Sequence, residues 1–184
     1  MGVLDWKLLC EVTEVSQIVT LSLEEVRVCA LLGMERWLMK FGSEDRPNYL
    51  EGKKRGWLDW ELVANVKANV AERAVSKLYG TTWNVPWYPN EEHPVRINHP
   101  DIGPNGEVRT IRTNDAIPVW PKDKVKGGYI IGARVLDPEY YSKVEVFGWL
   151  PVEMCTRDEW WSPRESDQCW RVPQDAFHDG NPFA

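Results

Sequence analysis

Polar and apolar positions divide the chain into three textures. Residues 11–20, Glu-Val-Thr-Glu-Val-Ser-Gln-Ile-Val-Thr, mix β-branched and polar side chains and predict a strand. Ser22 and Glu25 follow at the three-residue spacing of a capping box, which predicts a helix start. Val26, Cys29, Ala30, Leu32 and Trp37 spread widely around that helix, so most of it should be buried, and Gly42 is placed to end it. Segment 43–56 is polar, carries Lys53-Lys54-Arg55 before Gly56, and predicts a surface loop. From about 57 to 79, Leu58, Leu62, Val66, Val70, Ala74 and Leu78 recur every fourth residue and draw one apolar helix face, with Gly80 at the stop. Asn65, Asn69, Glu72 and Ser76 form a second stripe, and a polar stripe is ordinarily a solvated face.

Beyond Gly80 the periodicity is lost. Pro86, Pro89, Pro94 and Pro100 make 81–100 a loop region with rigid turns. Runs at 107–113, 115–120, 128–136 and 143–150 then predict strands, separated by turn signals at Gly103-Pro104-Asn105-Gly106 and Gly127-Gly128. A helical first half followed by short strands predicts α+β architecture with an antiparallel-rich sheet. Trp160, Trp161, Trp170 and Pro173 make the tail too aromatic to hang free, so it should pack back on the body.

Composition narrows the class. The 184 residues are 43% hydrophobic and 27% charged, which fits a single globular domain over 1–184 and argues against disorder. No apolar run approaches the ~20 residues of a membrane span. Met1 to Lys7 carries an early Asp5 and no basic stretch before an apolar core, so it does not read as a signal peptide. Cys10, Cys29, Cys155 and Cys169 contain no C-x-x-C pair and read as reduced thiols of a cytoplasmic protein.

Charge changes the picture more. The net charge of −6 counts against a protein that coats DNA by bulk attraction. Its distribution is uneven. Arg96 to Arg134 holds seven basic residues against four acidic ones, net +3, whereas Val135 to Ala184 holds four against ten, net −6. A locally positive middle suits a phosphate-handling site, and the acidic end suits a protein partner.

The positive segment also holds the candidate chemistry, Pro100-Asp101-Ile102-Gly103-Pro104-Asn105-Gly106-Glu107-Val108-Arg109. A tight turn at 103–106 would fold Glu107 back beside Asp101, and Glu107 and Arg109, two apart on a strand, would share a face. Two close carboxylates repel unless a cation lies between them, and hard oxygen donors suit Mg²⁺ or Mn²⁺. A basic residue beside such a site can hold a phosphate oxygen. On spacing alone, a plain hairpin with a surface Asp and an ordinary Glu–Arg pair is the favoured reading.

Pro100-Asp101 followed by Glu107-Val108-Arg109 resembles the PD-(D/E)XK signature of the restriction-endonuclease-like nucleases, with Arg where that family most often has Lys. Ala71-Glu72-Arg73-Ala74-Val75-Ser76-Lys77-Leu78-Tyr79-Gly80 resembles the helix that precedes this signature in small nuclease-like proteins of phages and bacteria. Val119-Trp120-Pro121-Lys122-Asp123, Val146-Phe147-Gly148-Trp149-Leu150 and Trp170-Arg171-Val172-Pro173 look like that group's later motifs, so the likeness runs in order over roughly 10–175. It implies a central mixed sheet flanked by helices, with Asp101 and Glu107 as ligands of Mg²⁺ or Mn²⁺. Glu72 is then a further ligand, direct or through water. The implied function is that of a phage-type, metal-dependent DNA nuclease, acting in the host cytoplasm.

Arg109 departs from the pattern. Arg stays protonated and cannot serve as a base, although it can clamp phosphate. The resemblance therefore leaves three outcomes: water activated by the metal alone, a second basic residue such as Lys122 reaching in, or an attenuated site that keeps the fold as a binding module for DNA or a host protein. On the neighbouring helix, Lys77 is placed to approach phosphate. His93 and His99 are ordinarily surface residues that can add a metal ligand, and Trp83, Trp87 and Tyr88 either cover the sheet or stack on bases. The chain has no P-loop, no G-x-G-x-x-G after a strand and no G-x-S-x-G.

Overall fold

Ser22 and Glu25 close a reciprocal cap: the Glu25 N–H donates to Ser22 Oγ at 3.2 Å and the Ser22 N–H donates to Glu25 Oε2 at 2.8 Å. In the computed structural model, which describes residues 16–40, 57–85, 99–111, 116–163 and 168–184, this cap opens α1 (Leu23–Lys40) directly after β1 (Gln17–Thr20). The expected ends at 11–15 and Gly42, and the loop at 43–56, lie outside the described residues. The second helix, α2 (Trp57–Tyr79), matches its predicted span and stops at Gly80, whose φ of +63° is the left-handed conformation common just past a helix end. Gly33 on α1 lets the two helices approach closely, because a Cβ there would lie 2.7 Å from the Val66 Cα.

The remaining elements are β2 (Gly106–Thr110), β3 (Ala116–Val119), α3 (Pro121–Lys126), β4 (Tyr129–Val135), β5 (Lys143–Pro151), α4 (Val152–Cys155), β6 (Trp161–Ser162) and β7 (Cys169–Pro173). One sheet has the order β1-β5-β4-β2 and the other β3-β7-β6. The first is mixed. Its β1–β5 and β5–β4 pairs are antiparallel, but β2 runs parallel to β4, with Glu107 opposite Ile130 and Arg109 opposite Gly132. The architecture is α+β, as expected.

Alternation along β4 explains how the layers meet. Ile131 and Ala133 join Val108, Val144 and Val146 in a core with Val26, Cys29, Val70, Ala71, Ala74 and Val75 of the two helices. Ile130 points the other way, into a second core with Leu150 of β5, Ile117 and Val119 of β3, Val172 of β7 and Phe177. The central sheet is thus covered by helices on one face and by the small sheet on the other. Such two-sided burial produces the continuous apolar run Tyr129-Ile130-Ile131. The tail packs back: β7 pairs with β3, and the Phe183 ring meets those of Tyr79 and Tyr129 edge-on. Cys29, Cys155 and Cys169 are buried.

One expectation fails here. The polar stripe of α2 is not solvated: Asn69, Glu72 and Ser76 are buried. Asn69 Nδ2 donates to the Asn65 carbonyl and Ser76 Oγ to that of Arg73, which offsets part of the cost of burial, while Asn69 Oδ1 has no hydrogen-bond partner among the described residues.

Candidate functional site

The expected turn forms. Ile102 and Gly106 exchange backbone hydrogen bonds at 3.0 Å, and Asn84 ties the turn to the segment after α2 by donating twice, its backbone N–H to the Asp101 carbonyl at 3.0 Å and its Nδ2 to the Gly103 carbonyl at 2.6 Å. This folds the chain so that Asp101 Oδ2 accepts the Val108 N–H at 2.8 Å, beside Glu107. Asp101 and Glu107 are thereby brought to one end of β2, as the turn spacing predicted.

Glu107 accepts from Lys126 Nζ at 2.8 Å and from Arg109 Nη2 at 3.3 Å. Arg109 shares that face of β2 and is held by Asp123 of α3: Nε donates to Oδ2 at 3.3 Å and Nη2 donates to Oδ1. Its Nη1 donates to the Val108 carbonyl at 3.2 Å and lies 3.8 Å from Asp101 Oδ2. Asp123 is wholly buried and also accepts the Trp120 N–H at 2.9 Å. Glu72 arrives from α2, buried, receiving Arg36 of α1 in a two-pronged pair at 2.8 and 3.3 Å and the Trp83 indole N–H at 3.1 Å.

Electrostatics tie these groups into one cluster. Burial, and then the Glu72 charge, push the Asp101 carboxyl up to about 6 against the pull of Arg109 and Arg36. Burial and the Asp101 charge likewise raise Glu107 above the usual carboxylate range. Burial works against the Arg109 charge, but Asp123, Asp101 and Glu107 outweigh it and hold its pKa above the ordinary value. Four carboxylates (Glu72, Asp101, Glu107, Asp123) therefore face three cations (Arg36, Arg109, Lys126), one negative charge in excess. Among the described residues, no three His, Cys, Asp or Glu side chains are drawn together closely enough to hold a metal ion.

Other expected residues fall elsewhere. Lys122 is exposed on α3, and Lys126, one turn later, is the lysine that reaches Glu107. Lys77 does not turn to the cluster but bonds Glu25 at 2.8 Å and the Thr20 carbonyl at 3.1 Å. His99 is exposed, with its carbonyl accepting from Lys126 at 3.4 Å. Trp83 packs against the helical core, while His93, Trp87 and Tyr88 lie outside the described residues.

Arg36, Asp123 and Lys126 are missing from the sequence-based site, and two of them left a local signal. Arg36 follows Val26, Cys29 and Gly33 along the buried stripe of α1, where a charge needs a partner. Asp123 follows Pro121 in the pattern of a helix start, Pro first and acid within the first turn. Lys126 had no such signal. No protein-family model, curated protein or solved structure matches this chain.

Proposed function

We propose that this chain is a DNA nuclease of the PD-(D/E)XK kind, hydrolysing phosphodiester bonds with a Mg²⁺ or Mn²⁺ ion held by Asp101 and Glu107 and supported by Glu72. The observation that carries this reading is the crowding of buried carboxylates, which lifts Asp101 to about 6 and raises Glu107. An excess negative charge on hard oxygen donors fits a small divalent cation. When bound, such an ion lowers the pKa of water and stabilises charge on a phosphoryl oxygen.

The chain's own residues have separable tasks. Arg36 and Trp83 fix both oxygens of Glu72 from two directions. Arg109 stays protonated and orients Asp101 and Glu107; it takes no proton. Lys126 holds Glu107 and is the second basic residue to reach the cluster, where the resemblance had offered Lys122.

The test is cleavage of linear and circular DNA with Mg²⁺ or Mn²⁺, beside Asp101→Asn and Glu107→Gln. Loss of at least about a hundredfold in both variants is expected. Absence of cleavage by the parent protein, or cleavage unchanged in both variants, sinks the reading.

One observation favours the second reading, a non-catalytic module that binds DNA or a host or phage protein. Arg109 spends its donors on Asp123, Glu107 and the Val108 carbonyl, which leaves its guanidinium engaged inside the cluster. DNA binding without cleavage, weakening steeply with salt, would support the DNA form of it.

A further inference from the structure

The acids of the cluster are held by the chain's own cations. Glu72 gives both oxygens to Arg36 and one of them also to the Trp83 indole. Glu107 divides its oxygens: Oε1 accepts from Lys126 Nζ at 2.8 Å, and Oε2 accepts from Arg109 Nη2 at 3.3 Å. A Mg²⁺ or Mn²⁺ ion on Oε1 would lie within about 5 Å of that ammonium, and the two like charges repel.

Of the three cations, Lys126 is the one placed to leave. Arg36 grips Glu72 with two prongs, and Arg109 is forked on the buried Asp123. Among the described residues, Lys126 meets the cluster through a single hydrogen bond, at the end of a flexible four-carbon stem that follows the exposed Val125. Its ammonium also has an acceptor outside the cluster, the His99 carbonyl at 3.4 Å. Charge points the same way. Glu72, Asp101, Glu107 and Asp123 set against Arg36 and Arg109 alone leave two negative charges, the number a divalent ion neutralises. With Lys126 kept on Glu107, the same ion would leave the cluster one positive charge in excess.

We propose, resting on the reading of Asp101 and Glu107 as the ion's ligands, that Lys126 competes with the divalent ion for Glu107 and that binding drives its ammonium off Oε1 onto the His99 carbonyl. Lys126 thereby sets the concentration of Mg²⁺ or Mn²⁺ at which the cluster fills. It acts on the ion through Glu107 and takes no proton in the reaction.

Calorimetric titration of the full chain with Mn²⁺ alone, without DNA, tests the competition. Lys126→Met removes the competing charge and should bind Mn²⁺ at least about tenfold more tightly than the parent protein. Lys126→Arg, which keeps a charge, should bind no more tightly than the parent. Lys124→Met changes the net charge equally, but its ammonium lies over the Trp170 ring, so its affinity should stay within about twofold of the parent's. Should Lys126→Met not fold, Lys126→Gln gives the same comparison, because it removes the charge and keeps a donor for Glu107. Parent binding that the loss of the Lys126 charge leaves unchanged or weakens overturns the competition, while Asp101 and Glu107 stand as ligands. Equal tightening by Lys124→Met also overturns it, since net charge alone then accounts for the effect. No Mn²⁺ binding by any of these proteins overturns both the competition and the metal-dependent reading.

Discussion

Arg109 and Asp123 meet fork to fork inside the protein, one from β2 and the other from the first turn of α3. Asp123 is wholly buried and Arg109 nearly so, and the pair joins the edge of the central sheet to the segment that crosses over to β4. Charged hydrogen bonds of this kind are strong, but their strength is conditional on both partners being present.

Removing one partner exposes that condition. Asp123→Ala leaves the Arg109 guanidinium buried without its main counter-charge and should cost about 3–5 kcal/mol of folding stability. Lys122→Ala, next to it but exposed, should fall within about 0.5 kcal/mol. Urea unfolding midpoints compare the two, and equal effects would refute the structural role of Asp123.

Asp101 should make the protein less stable as pH rises. Its folded pKa of about 6 lies above the ordinary 3.8, so the folded state holds this proton more tightly than the unfolded state does. Its contribution therefore falls as pH rises from about 4 to about 6 and stays at its least favourable above that. Asp101→Asn, which still accepts the Val108 N–H, should flatten this slope and raise stability at pH 7 by up to about 3 kcal/mol. Glu25 acts in the opposite sense. Its hydrogen bonds with Lys77, Ser22 and Arg73 outweigh burial and hold it at about 2, so its contribution is present above about pH 4.5 and is lost as pH falls toward 2. Unfolding curves from pH 2 to 8 for the parent, Asp101→Asn and Glu25→Gln separate the two slopes.

Gly33→Ala sets two effects against each other. Alanine favours an exposed helix by about 1 kcal/mol over glycine. At this crossing, however, the new methyl meets the Val66 backbone at 2.7 Å, and backbone cannot rotate aside. The clash should win, with a net loss of about 1–3 kcal/mol readable as a lower melting temperature. A gain in stability would show that the helices separate freely.

Divalent cations should stabilise the folded protein through the carboxylate cluster. At 100 times the dissociation constant, a ligand bound only by the folded state adds about 2.7 kcal/mol. Mn²⁺ should raise the melting temperature of the parent protein and have little effect on Asp101→Asn or Glu107→Gln. An equal rise in all three would place the ion elsewhere.

How much of this was readable in the chain depends on the distance over which each signal acts. Ser22 with Glu25 marks the start of α1 because a capping box is complete within four residues, and Gly80 marks the end of α2 for a similar reason. Asp101 and Glu107 could be paired from a four-residue turn between them. The stripe Asn69, Glu72 and Ser76 misled by pattern alone: Asn69 and Ser76 bond within their own helix, whereas Glu72 depends on Arg36 and Trp83 arriving from outside it. Lys126 illustrates the limit. Its neighbours Lys122 and Lys124 are chemically identical, and only the placement of α3 beside β2 decides which ammonium meets Glu107.

Strand β4 has a consequence for how the protein breathes. With Ile130 serving one core and Ile131 the other, its amides cannot meet solvent unless both layers part, so they should be among the slowest to exchange for deuterium. Glu107 is in register with Ile130 on the adjoining strand, whereas Glu72 is steadied by side chains from α1 and the segment after α2. The two acids thus hang from different layers of the molecule, which should open independently. An opening at the helices would release Glu72 while Glu107 stays on β2.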